Sequence, residues 1–139
     1  MIEQQTIEIK TSGRATIEIT HEVEALVRAS AITRGLCHLF LHHTSASLII
    51  TENADRDVRI DLENYIARLV RDGDPAYRHD QEGPDDMAAH IRSVLTQTEI
   101  SVPLQSARLA LGTWQGLFLW EHRLQGHRRR ITVTTTGVK

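Results

Sequence analysis

The sequence predicts an α+β fold, with mostly antiparallel β-sheets packed as a sandwich and two or three helices, in a single domain. Three observations carry this. Segments that alternate apolar and polar residues dominate the chain, the period of a half-buried strand. Two or three segments of helical period are set among them. The strands read at 35–43 and 48–52 lie too close together for a helical crossover, which argues against a doubly wound parallel sheet. A chain of 139 residues fits one domain.

The elements follow in order. Ile7 and Ile9 alternate with Thr6, Glu8 and Lys10, and after Ser12-Gly13 the pattern resumes from Ala15 to Thr20, so a hairpin is expected. Thr20 is placed to cap a helix reaching Ser30, with Glu22 and Glu24 in its first turn and Val23, Leu26 and Val27 as its apolar stripe. The strand from Gly35 to His43 has one face of Cys37, Leu39, Leu41 and His43, and another of Leu36, His38, Phe40 and His42. Leu48-Ile49-Ile50 forms the next strand. From Asp55 to Arg71, Val58, Leu62, Tyr65, Ile66, Leu69 and Val70 recur at helical spacing. Asp72-Gly73-Asp74-Pro75 ends that helix, and a polar loop leads to Gly83-Pro84. Asp85 is placed to cap a shorter helix with an apolar stripe of Met87, Ile91, Val94 and Leu95. Strands are then expected at 100–104, 108–111, 117–122 and 130–136.

Composition excludes several classes. The chain is 40% hydrophobic and 24% charged with 3 Pro and 8 Gly, unlike a collagen-like or disordered chain. No apolar run reaches the ~20 residues of a membrane span, so no membrane partner is expected. The first residues lack the basic start and apolar stretch of a signal peptide, and Cys37 is the lone cysteine, so a reducing, cytoplasmic setting is expected. A net charge of -2 gives no support to nucleic-acid binding.

Eight histidines are the first sign of chemistry. Asp86 and His90 are four apart on the short helix and share one face. The preceding loop supplies His79, Asp80 and Glu82, and a strand end supplies His42 and His43. Of these two, His43 follows the apolar face. One reading is a divalent metal held by His43, His79 and His90, probed by zinc's preference for nitrogen ligands and an open fourth position. Asp86 or Glu82 would orient the imidazoles or move protons. The other reading is a set of separately satisfied histidines, since no H-E-x-x-H motif is present.

Four further features are ambiguous. Ser45 and Ser47 lack a nucleophile elbow, and their hydroxyls suit either local backbone bonds or an anion. Trp114, in the turn Gly112-Thr113-Trp114-Gln115-Gly116, is a packed anchor or a ligand stacker, and Gln115 beside it is grouped as a binding candidate. Glu121 ends an otherwise apolar row formed by Leu117 and Leu119. Arg128 and Arg130 share one strand face, with Arg129 on the other, and read as a solvated edge or as a phosphate clamp.

His43-Thr44-Ser45-Ala46-Ser47-Leu48, Glu52-Asn53-Ala54-Asp55, Tyr77-Arg78-His79-Asp80 and the run from Glu82 to His90 resemble the YjbQ-like family. Gly112 to Gly116 and Glu121-His122-Arg123 extend the resemblance over nearly the whole chain. Gln97 and Ala107 stand where the family's pattern has glycine. The resemblance implies a small trimeric α+β protein with a site of His43, His79 and His90, and with Glu82, Asp86 and Glu121 nearby as catalytic carboxylates. It also implies a secondary thiamine-phosphate synthase activity, joining hydroxymethylpyrimidine diphosphate to a thiazole phosphate with release of pyrophosphate. A metal-dependent enzyme acting on a small phosphorylated metabolite is therefore expected, with zinc suiting the histidines better than magnesium. In it, Ser45, Trp114, Gln115, Arg128 and Arg130 would contact the substrate. The alternative is a non-catalytic trimeric module that binds a metal or a metabolite.

Overall fold

The computed structural model describes residues 1–139. Its elements are β1 (Ile2–Lys10), β2 (Ala15–Glu18), α1 (Thr20–Ser30), β3 (Arg34–Leu41), β4 (Ala46–Glu52), α2 (Arg56–Leu69), α3 (Asp86–Leu95), β5 (Glu99–Gln105), β6 (Arg108–Leu109), β7 (Gln115–Glu121) and β8 (Arg128–Val138). A five-stranded sheet of order β1-β8-β3-β5-β6 faces a three-stranded sheet of order β2-β7-β4. Every pairing is antiparallel.

The alternation read in the sequence puts the expected side chains inside. Cys37, Leu39 and Leu41 of β3 meet Leu117 and Leu119 of β7 and Leu48 of β4 in one core, to which α1 adds Val23 and Val27. The opposite face of β3 leaves Leu36 and Phe40 exposed. This is the two-residue period of a strand with one buried face.

The hairpin expected of the first two strands does not form. β1 pairs with β8 and β2 with β7, in different sheets. Alternation identifies a strand but not its partner, and here the chain between them crosses from one sheet to the other. Thr11 N–H donates to His127 O and Arg14 Nε donates to His122 O along that crossing.

Two of the expected caps also differ. Ile19, not Thr20, is the N-cap residue of α1. The Thr20 hydroxyl instead donates to Glu18 and accepts from Leu117 N–H, fixing the helix start to β7. Asp85 occupies the N-cap position of α3 without capping it, because its carboxylate accepts from Arg123 and from Leu124 N–H. Asp55 does cap α2, accepting from Asp57 N–H.

Both later helices turn part of their predicted stripe outward. In α3 the buried residues are Asp86, Ala88, Ala89, Arg92 and Ser93, while Val94 is 84% exposed. Ala88 and Ala89 are small enough to bring α3 close to β4, and the buried polar groups find partners there. Ser93 donates to Ala46 O, and Arg92 pairs with Glu63 of α2. In α2 only Ile66 and the adjoining Val70 are buried, and Tyr65 and Leu69 face outward.

Between β5 and β6 the chain reverses through two residues, Ser106 and Ala107, at φ of 51° and 59°. Two consecutive left-handed residues make a type I′ hairpin turn, which favours Asn-Gly. Ala107 therefore carries a Cβ where a glycine relieves a cost of roughly 1–2 kcal/mol. Ala107→Gly is expected to raise stability by about 1 kcal/mol in urea unfolding. An unchanged or lower midpoint would contradict a strained turn.

Candidate metal centre

The first turn of α3 sets the site. Asp86 is 2% exposed, and its two carboxylate oxygens have different tasks. Oδ1 lies 2.9 Å from Arg123 Nη1. Oδ2 lies 2.7 Å from His79 Nε2 and 3.1 Å from His90 Nε2. The i,i+4 spacing brings His90 over Asp86, and the turn after Tyr77 carries His79 to the same oxygen. Burial alone would raise the Asp86 carboxyl, but the bond from His79 and the charges of His90 and Arg123 outweigh it and hold the group below its usual value.

His90 decides the character of this cluster. Its Nδ1 lies 2.9 Å from the carbonyl oxygen of Thr44. A carbonyl only accepts, so Nδ1 carries a proton, and Nε2 meets Asp86 Oδ2 either through a second ring proton or, in the neutral ring, through a bound cation. A lone pair and a carboxylate oxygen at 3.1 Å repel unless a proton or a cation lies between them. A ring fixed by Nδ1–H to a backbone carbonyl is also the common setting of a metal-binding histidine.

His79, Asp86 and His90 each direct one ligand atom to a common point, with all three atoms within 4.8 Å of one another. Tetrahedral zinc ligands at about 2.0–2.1 Å stand roughly 3.3 Å apart, wider than the 2.7 and 3.1 Å that separate Asp86 Oδ2 from the two imidazole nitrogens, so the side chains would have to spread to take an ion. The set is two imidazoles and one carboxylate, and it leaves a coordination position free. Two hollows flank it. One of about 300 Å³ is lined by Tyr77, His79, Asp80 and Gly83, and one of about 370 Å³ by His43, Thr44, His90, Ser93, Thr96 and Thr98.

Of the three histidines expected to meet, the structure brings together His79 and His90 but not His43. His43 lies outside the cluster, because its Nε2 accepts from Arg130 N–H at 2.8 Å, leaving the proton on Nδ1. Burial, then Arg129 and Arg130, push its imidazole down, which suits that acceptor role. Asp86, expected as an acid or base beside the metal, is the third member of the cluster. His43 still borders the same hollow as His90.

The other candidates separate. Glu121 is fully buried and accepts from Thr11 Oγ1, Arg129 Nε and Nη2, and the N–H groups of His122 and Arg123. Burial would raise this carboxyl, but the Arg129 and Thr11 bonds hold it low. It is a saturated ion pair between the two sheets, with no access for a substrate. Ser45 is buried with it, its Oγ accepting from Arg129 Nη2. Glu82 is exposed, and it is its backbone carbonyl that accepts from Arg123. Trp114 and Gln115 stand at the end of β7 paired with Glu52, the far end of a strand about 20 Å long from Glu121. Arg128 faces Glu8 across the outer sheet surface, and Arg130 is exposed on that surface. Within one chain neither lines the two hollows.

Sequence reasoning missed Arg123, which clamps Asp85 and Asp86 together, and Arg129. The signal for Arg129 was present: one inward charge on each sheet, Glu121 and Arg129, calls for a pair.

Comparison with known proteins fixes the family. The UPF0047 protein YjbQ-like family model matches residues 5–138. The chain belongs to the YjbQ/UPF0047 family. It is 48% identical over 134 residues to the UPF0047 protein sll1880 of Synechocystis, covering 96% of this chain and 91% of that one. It is 43% identical to the YjbQ protein of Salmonella typhimurium, covering 96% and 97%. A crystal structure of a YjbQ/UPF0047 family protein from Clostridium acetobutylicum superposes with a TM-score of 0.87 at 30% identity, covering 95% of this chain and 99% of that one. A YbjQ-like protein of Sulfolobus solfataricus gives 0.85 at 25% identity, covering 99% of each. These agreements establish the fold and leave its chemistry to the site.

His122 supplies a test of the buried layer behind the cluster. It is fully buried, with Nε2 at 2.8 Å from Ser47 Oγ, and burial followed by the charge of Arg92 pushes its imidazole down to about 3. A histidine lowered on folding contributes stability that is complete above its unfolded value near 6.5 and is lost as pH falls from there toward 3. Urea unfolding between pH 6.5 and 4 should show His122→Gln lessening the loss by up to about 1.4 kcal/mol per pH unit. Equal slopes in the two proteins would contradict a neutral buried His122.

Proposed function

We propose that His79, Asp86 and His90 hold a divalent metal, zinc before magnesium, and that the chain is a metal-dependent enzyme acting on a small phosphorylated metabolite. The observation that carries this is the convergence of one ligand atom each from His79, Asp86 and His90, all within 4.8 Å of one another, with His90 and Asp86 fixed from behind by Thr44 O and Arg123. A bound zinc supplies Lewis-acid charge neutralisation to a substrate oxygen. Three protein donors beside open hollows support catalysis over a closed four-ligand structural site.

The chain's own residues define the rest. His43, with Nε2 engaged by Arg130 N–H, presents Nδ1–H as a donor on the rim of the hollow shared with His90. Thr44, Thr96 and Thr98 also line that hollow, the Thr96 hydroxyl donating to Arg92 O. Together these suit phosphate oxygens near the cluster. Asp86 positions both imidazoles. The resemblance points to thiamine-phosphate synthesis as a secondary activity, in which a diphosphate leaves carbon and the departing oxygens need positive charge and donors. A homotrimer is part of the same proposal, and in it Arg128, Arg130 and Trp114 would reach a neighbour's site. The contrasting reading keeps the metal and removes the turnover: a metal-binding module.

Metal content per chain after zinc loading and desalting tests the proposal. The wild type is expected to retain about one zinc, His90→Ala and Asp86→Asn to lose it at least tenfold in affinity, and His43→Ala to keep it. Equal retention by wild type and His90→Ala would remove the site. Retention with no turnover of any phosphorylated metabolite would leave the module.

A further inference from the structure

Helix α2 stands off the second sheet along its N-terminal half. Its C-terminal part is anchored by Ile66, but near its start the contact is a guanidinium, Arg59, lying 4.8 Å over the Phe118 ring. The gap between α2 and β2 is a groove of about 640 Å³, larger than either hollow beside the histidines. Thr16, Arg56, Arg59, Glu63, Asn64 and Trp120 line it, with Arg14 at one end.

The charges of this groove do not cancel. Arg14 is held by both oxygens of Asp72. Glu63 is used by Arg92 and by the Trp120 indole N–H. Arg56 and Arg59 are left without a carboxylate partner; Arg59 reaches the backbone carbonyl of Glu52 and lies over the Phe118 ring. Both arginines sit at the start of α2, where the helix dipole opposes cations by roughly 0.3–1 kcal/mol each. Their i,i+3 spacing also places two like charges on one face. Asp57 in the first turn and the Phe118 ring offset part of this cost, yet no carboxylate pairs with either guanidinium, so their forks stay open to an anionic ligand.

We propose that this groove is a second binding site, distinct from the His79–Asp86–His90 cluster, for a small phosphate-bearing ligand held by Arg56 and Arg59. Guanidinium forks match phosphate oxygens in geometry and charge. The Asn64 amide and Thr16 hydroxyl, which have no partners inside the chain, add neutral donors, and the indole of Trp120 closes the floor. The volume is that of a metabolite site. The site needs no metal.

Calorimetric titration with inorganic pyrophosphate, at constant ionic strength and without divalent metal, tests it. The wild type is expected to bind saturably at about one per chain. Arg56→Gln/Arg59→Gln should weaken binding at least tenfold, and His79→Ala/His90→Ala should leave it unchanged. Because neither arginine makes an ion pair in the fold, the double variant should still unfold in one cooperative transition, its urea midpoint lowered only by loss of the Arg59 contacts to Phe118 and Glu52 O; if it does not fold, Arg56→Gln alone should weaken binding at least threefold. Absence of saturable binding, equal affinity in the arginine variants, or loss in the histidine variant would overturn the proposal.

Discussion

A single buried carboxylate oxygen organises this molecule's chemistry. Asp86 could not stay ionised at 2% exposure unless its surroundings replaced the water it gives up. Arg123 does so at Oδ1, and Oδ2 is left for two imidazoles that have no other reason to meet. The placement of His79, of the loop before α3 and of the Arg123 turn after β7 all follow from that arrangement. Asp85 extends it, tying Arg123 and the Leu124 N–H to the same helix start. Without the clamp, α3 would present a carboxylate free to rotate, and the imidazoles would lose their common point.

A second buried pair keeps the scaffold separate from the chemistry. Glu121 and Arg129 approach from opposite sheets and satisfy one another together with Thr11 and Ser45. Such a pair costs desolvation and returns it only when every lone pair is used, as here. The result is a rigid floor beneath the strand ends, with Ser47 and His122 packed next to it in neutral form. Polar residues near the cluster are thus divided into those that hold the sheets together and those that face a hollow, and burial is what separates them.

Much of this was legible in the sequence. The strands announced themselves by alternation, and β3's inward row of Cys37, Leu39 and Leu41 was read directly. The Asp86–His90 spacing gave half the cluster. What the sequence could not supply was pairing between distant segments: that β1 would join β8 instead of β2, or that Arg130 N–H would occupy His43. The stripe of α3 misled for a related reason. Hydrophobic period ranks Val94 above Arg92 for burial, yet Arg92 had Glu63 waiting across the interface. Periodicity counts apolar residues and is blind to partners.

The most direct measurement is anomalous diffraction at the zinc edge from crystals of the protein grown with equimolar zinc. The account predicts one strong peak per chain within about 2.0–2.2 Å of His79 Nε2, Asp86 Oδ2 and His90 Nε2. A peak held by other residues, or clear density for the three side chains with no peak among them, would contradict it.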